Sequence, residues 1–105
     1  MASYRVSVDR QARKEIRRLP GDMRQRVIRI LRALEKKPRP HTGHLLDTAK
    51  AGIELDAGVD LYRIRMESWR IVYVIEDEWE LITVPAIRKR PPYQYEDLEG
   101  LMGRV

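Results

Sequence analysis

The sequence predicts an α+β domain of β-α-α-β-β-β order, with a mainly antiparallel four-stranded sheet and a helical hairpin on one face. Three observations predict it. Residues 4–8 alternate apolar and polar side chains, and residues 10–34 repeat apolar side chains at helical spacing. Residues 61–87 hold three runs rich in Ile, Val, Tyr and Trp, too close together for crossover helices. At 105 residues the chain has material for one hydrophobic core, so a single domain over 1–105 is expected.

Each element has its own signal. Tyr4-Arg5-Val6-Ser7-Val8 puts Tyr4, Val6 and Val8 on one side of a strand. Asp9 then stands where it can cap a helix in which Ala12, Ile16 and Leu19 recur until Pro20-Gly21 stops it. Arg10, Arg13, Lys14, Arg17 and Arg18 form that helix's solvated basic face. Asp22 is expected to cap a second helix with Met23, Val27, Ile30, Leu31 and Leu34 on one stripe, ending before Pro38. From Pro38 to Asp60 the periodicity disappears among Pro, Gly, His and Asp, which predicts a long loop with a turn of structure at Leu45 and Leu46.

Three strands follow, Leu61–Met66, Trp69–Ile75 and Leu81–Ile87, joined by hairpin turns at Glu67-Ser68 and at the acidic segment Glu76–Glu80. Past Pro91-Pro92, Leu98, Leu101 and Met102 return at helical spacing, giving a short C-terminal helix within 95–102. Helices on one side only leave the sheet's other face open, lined by the polar side chains of its alternating strands.

Composition narrows the chemistry. The absence of cysteine excludes disulfides, thiolate zinc sites and thiol nucleophiles. No apolar run is long enough to span a bilayer, and Met1-Ala2-Ser3-Tyr4 runs directly into strand pattern, so a cytoplasmic protein is expected. The net charge of +5 is unevenly spread: residues 5–39 carry thirteen basic and four acidic side chains, whereas residues 47–80 carry four and nine. Arginine outnumbers lysine sixteen to five, which favours forked contacts to phosphate or carboxylate. Nucleic acid and an acidic protein partner both suit such a surface.

The basic residues of the second half gather on strands. Arg63 and Arg65 point away from Tyr62, Ile64 and Met66, and pairing across the Glu67-Ser68 turn brings Arg70 back beside Arg65. After the last strand come Arg88-Lys89-Arg90 and Pro91-Pro92-Tyr93-Gln94-Tyr95. A residue before proline is held extended, which directs Arg90 and carries the tyrosines alongside the sheet. Any one of these arginines alone reads as solvated, or as paired with an acid such as Glu67. Five on one antiparallel face repel one another, and an anionic ligand offsets the repulsion.

If that ligand is RNA, cleavage needs no metal. The 2′-hydroxyl attacks its own phosphate once a base takes its proton, cations stabilise the charge gathering on phosphorus, and an acid protonates the leaving 5′-oxygen. Arginine supplies the cationic part only, because its pKa lies above about 12. Tyr93 and Tyr95 are the candidate bases: a phenol of pKa about 10 is roughly 0.1% ionised at neutral pH, and adjacent cations raise that fraction. The alternative reading of both is rings packed against the sheet edge. His41 and His44 read as surface residues, since a loop without further ligands rarely holds an ion; neither metal nor cofactor is expected. The Asp77-Glu78 tip reads as a solvating turn. No phosphate-binding glycine loop, dinucleotide fingerprint or Ser/His/Asp arrangement is present.

Leu61-Tyr-Arg-Ile-Arg-Met-Glu-Ser-Trp-Arg-Ile-Val-Tyr73, followed by Val84-Pro-Ala-Ile-Arg-Lys-Arg-Pro-Pro-Tyr93, resembles the C-terminal half of RelE/ParE superfamily toxins, and Tyr4 to Pro20 resembles their opening unit. The resemblance implies a toxin of a type II toxin–antitoxin pair, bound by a cognate antitoxin. Its RelE branch implies a metal-independent mRNA endonuclease acting on the ribosome, and its ParE branch implies a DNA gyrase inhibitor that cleaves nothing; a non-toxic binding module is the third alternative. By position, Arg63 and Arg65 match the RelE branch's paired basic residues and Arg70 its phosphate-contacting arginine. Arg88 or Arg90 matches its second arginine and Tyr93 or Tyr95 its catalytic tyrosine, with Lys89 a further phosphate contact.

Overall fold

In the computed structural model, which describes residues 3–89, the chain runs β1 (Arg5–Val8), α1 (Arg10–Arg17), α2 (Gly21–Leu34), β2 (Gly43–Leu45), α3 (Thr48–Ala51), β3 (Val59–Met66), β4 (Trp69–Glu76) and β5 (Leu81–Lys89). One sheet takes the order β1-β5-β4-β3-β2. It is mixed, because β1 runs parallel to β5 while the other pairs are antiparallel. The α+β class and the helical hairpin are as the sequence predicts. The C-terminal helix expected within 95–102 lies outside the described residues.

The sheet has five strands where four were expected, and the extra one lies inside the predicted loop. β2 is three residues long, and both His44 and Leu45 are exposed, so it offers no alternation to read. Tertiary contacts make it a strand. Gly43 sits so close to Tyr73 that an added Cβ would lie 3.1 Å from the phenol oxygen and 3.3 Å from Tyr62 Cδ2. The Tyr73 hydroxyl, fully buried, donates to the Pro38 carbonyl at 3.1 Å. Arg39 next to it forks onto Asp77 at 2.8 and 3.0 Å, and also reaches Asp60 at 2.8 Å, while the Tyr4 hydroxyl donates to Asp77 at 2.6 Å. The Asp77 tip is therefore a clasp for the chain entering β2 rather than a solvating turn.

The helical hairpin covers one face of the sheet. Ala12, Leu19, Met23, Val27, Leu31 and Leu34 pack with Ile64, Met66, Ile71, Tyr73, Ile75, Ile82, Val84 and Ile87 into one core, each large apolar side chain contributing about 1.5–3 kcal/mol on burial. The helix starts differ in detail from expectation. Asp9 occupies the N-cap of α1, yet its carboxylate makes no cap hydrogen bond, and burial raises its pKa against the opposing pull of Arg13. α2 begins at Gly21 with Pro20 at its N-cap, which puts Asp22 inside the first turn, favourably placed for the helix dipole.

The second face is only partly open. Leu46, Ile53 and Leu55 fold over Leu61, Val72, Val74 and Ala86 as a smaller core, so the long loop covers the half of the face nearer the acidic tip. The arginines lie at the other end of β3, β4 and β5, beyond this smaller core.

Candidate functional site

Two features of the sheet bring the arginines together. The first is the tight β3–β4 hairpin, in which Met66 pairs with Trp69 across Glu67-Ser68, so that Arg65 and Arg70 are direct cross-strand partners. Glu67 accommodates the turn at φ 52°, a conformation unusual for a side chain other than glycine. The second is a bulge in β5: Val72 pairs with Ala86 but Val74 with Thr83, leaving Val84 and Pro85 both opposite Tyr73. Before the bulge Ile82 and Val84 face the helices; after it Ile87 does, and Ala86 joins the opposite core. The inserted residue turns the strand over, and Arg88 emerges on the same face as Arg70, its direct partner.

Arg65, Arg70 and Arg88 therefore form one row across three strands, with Arg63 two residues back along β3 on the same face. Directly opposed residues on such a face have Cβ atoms about 4.5–5.5 Å apart. Arg70 lies in the middle and is 4% exposed, and its Nε and Nη1 are buried with no hydrogen-bond partner. Unlike an exposed cation, such a guanidinium is poorly screened by water, so it keeps its full demand for an acceptor. The nearest acid in sequence does not meet it: Glu67 bonds Arg26 of α2 at 3.1 Å. A tetrahedral oxyanion such as a phosphate suits a row of forked donors of this kind.

The described residues also show what the sequence hid. His44 of β2 is in register with Arg63, and Gly43 beside it lies against Tyr73, so His44 falls on the arginine face as an exposed imidazole. Only the β2 pairing brings it there. Lys89 closes β5 in register with Trp69, while Arg90, Tyr93 and Tyr95 lie outside the described residues. No group of three or more metal-ligating side chains occurs among the described residues, and no helix among them is long and apolar enough to cross a membrane.

Comparison with known proteins bears on this geometry. The profile of a family described as the ParE toxin of the type II toxin-antitoxin system, parDE, matches residues 6–91, a span that includes β2 to β5, all of β1 but Arg5, and the four arginines of the row. The chain belongs to the RelE/ParE superfamily of type II toxins. The archaeal RelE–RelB complex from Pyrococcus horikoshii OT3 aligns with a TM-score of 0.72 at 24% identity, over 87% of this chain and 99% of that chain. A doubly substituted E. coli RelE in the free state aligns at 0.66 and 24%, over 100% and 99%. The intact E. coli RelBE toxin–antitoxin complex gives 0.61 and 25%, over 85% and 99%. No match was found among curated proteins.

On this RelE/ParE scaffold a concavity lies away from the arginine row. A groove of about 840 Å³ runs between the edge strand β1 and the helical hairpin, lined by apolar Val6, Val8, Ile16, Ile28 and Leu31 together with Arg5, Arg13, Arg17 and Arg32. Among the described residues β1 pairs only with β5, so its outer edge presents backbone donors and acceptors beside that groove.

Proposed function

We propose that this RelE/ParE toxin is a ribosome-dependent mRNA endonuclease, cleaving by attack of a 2′-hydroxyl on its own phosphate with no metal. The single observation that carries the reading is Arg70, a nearly buried guanidinium with two unpartnered nitrogens set between Arg65 and Arg88. A row of like charges costs stability, and a phosphate that becomes more negative in the transition state repays that cost where catalysis needs it. Arg70 and Arg88 hold the reacting phosphate, with Arg90 beyond them; Arg63, Arg65 and Lys89 bind the flanking backbone. Guanidinium chemistry supplies charge and hydrogen bonds rather than a base, so proton transfer falls to Tyr93 or Tyr95, or to His44 on the arginine face itself.

The partners of this reading are mRNA, the ribosome and a cognate antitoxin, and its compartment is the cytoplasm, where ribosomes are. The RelB partners of the structural neighbours support the antitoxin. The apolar, arginine-flanked groove beside β1 offers such a partner an edge strand and basic side chains, which suit an acidic amphipathic segment. The test is cutting of mRNA on ribosomes by wild type and Arg70→Ala. Cutting by wild type and none by a folded Arg70→Ala supports the reading; uncut message with wild type refutes it. The ParE profile match favours one second reading, a gyrase inhibitor that cleaves nothing. Gyrase-linked DNA breaks that persist in Arg70→Ala would establish that reading instead.

A further inference from the structure

Besides the Arg26–Glu67 ion pair, a second contact joins the arginine end of the sheet to the helical hairpin. β1 pairs with β5 only as far as Val8 and Val84, and the Asp9 N–H donates to the Val84 carbonyl at 3.0 Å. Beyond that point the edge of β5 that faced β1 has no strand beside it among the described residues. Backbone N–H groups removed from water need an acceptor, and the Ile87 N–H finds one in a side chain: Glu15 Oε1 of α1, at 2.9 Å in a part-buried setting. Glu15 lies one turn on from Ala12, which is fully buried in the main core, so the carboxylate is held on a well-anchored part of the helix.

The position of that bond along β5 gives it a consequence. Pro85 lies in the bulge and has no N–H to give, so Ile87 is the described residue at which this outer edge of β5 is tied down after the strand has turned over. The next residue is Arg88. We propose that Glu15 is a positioning residue for Arg88: acting through the Ile87 N–H, its carboxylate holds the end of β5 in the register that sets Arg88 beside Arg70. Without it, the Ile87 N–H loses its acceptor on the side away from β4, and this edge of β5 keeps only the packing of Ile87 in the core against the helices. The catalytic half of this inference rests on the arginine face being the site of RNA cleavage; the geometric half does not.

The experiment compares wild type with Glu15→Ala, Glu15→Gln and Glu15→Asp, measuring single-turnover cleavage of mRNA on ribosomes, thermal unfolding, and amide exchange at Ile87 with the Arg88 Nε–H signal by NMR. Glu15→Ala is expected to lose on the order of 10²-fold in cleavage rate, the usual cost of displacing a reacting group by about an ångström, while remaining folded at the assay temperature. Glu15→Gln keeps the Oε1 acceptor and restores most of the rate. Glu15→Asp keeps the charge but falls a methylene short, and behaves as Glu15→Ala; it stands in if Glu15→Ala does not fold. Wild-type cleavage by Glu15→Ala, or a Glu15→Gln as slow as Glu15→Ala, overturns the proposal. If wild type itself cuts nothing, the nuclease reading fails and the NMR arm decides the geometric claim. Faster Ile87 exchange and a shifted Arg88 signal in Glu15→Ala but not in Glu15→Gln sustain it, and unchanged signals overturn it.

Discussion

Replacing Arg70 by methionine should make the protein more stable and inactive at once. Arg70 is 4% exposed, its Nε and Nη1 are buried without partners, and it has Arg65 and Arg88 directly opposite on either side. Leaving buried donors unsatisfied costs about 1–3 kcal/mol, and exchanging a buried charge for an apolar side chain of similar length recovers it. Methionine retains most of the packing of the arginine stem. The net expectation is a gain of about 1–3 kcal/mol, or a Tm rise of roughly 5–15 °C for a domain of this size. Thermal unfolding with and without inorganic phosphate checks it. Phosphate should raise the Tm of wild type by mass action and that of Arg70→Met by much less. A Tm for Arg70→Met at or below wild type would refute the reasoning, because it would mean that the fold itself, and not an anionic ligand, compensates Arg70.

Three further outcomes are expected. Gly43→Ala should lower stability by about 1–3 kcal/mol, since its Cβ would meet the Tyr73 hydroxyl at 3.1 Å and the Pro40 carbonyl at 3.2 Å; denaturant unfolding measures this. Arg39 first, and the Tyr4 hydroxyl second, hold the Asp77 carboxyl below its ordinary pKa. A depressed folded pKa gives stability that is complete above the unfolded value of about 3.9 and is lost as pH falls through the folded one. Asp77→Asn should therefore flatten the acid limb of stability against pH, as followed by circular dichroism from pH 6 to 2. His44→Ala should slow cleavage by about 10²-fold while leaving Tm within a few degrees, if the imidazole on the arginine face transfers a proton; a rate equal to wild type would leave that role to the tyrosines.

The parts of this structure that the sequence makes legible are those whose signal repeats. Two helical stripes and the alternation of Arg63 and Arg65 with Ile64 and Met66 each present several residues in phase, and the two-residue turn at Glu67-Ser68 fixes Arg70 against Arg65. β2 and α3 are three and four residues long and have no period to read; they form because Gly43 fits against Tyr73 and because Leu46, Ile53 and Leu55 cover apolar side chains of β3 and β4. His44 was legible as a residue but not as a neighbour of Arg63 for the same reason.

Arg88 lies within β5, not after it as the sequence suggests, and its face is set by a feature that alternation alone misses. Alternation carried straight on from Ile82 and Val84 would put Ala86 and Arg88 under the helices, and only the bulge reverses them. A signal for it exists in the sequence: a proline inside a strand-like run marks an edge or a bulge, and Pro85 stands at the spot. The contact between Glu15 and Ile87 has no such signal, because its partners are 72 residues apart and one of them is a backbone amide.

The central claim is that the arginine end of the sheet holds an RNA phosphate between Arg70 and Arg88. Its most direct test is the structure of the toxin bound to a short mRNA fragment whose 2′-hydroxyl at the cleavage position is replaced by hydrogen, so that it binds but is not cut. The account predicts phosphate oxygens within hydrogen-bond distance of Arg70 Nε or Nη1 and of the Arg88 guanidinium. A fragment held on the helical hairpin instead, with the arginine row untouched, would contradict it.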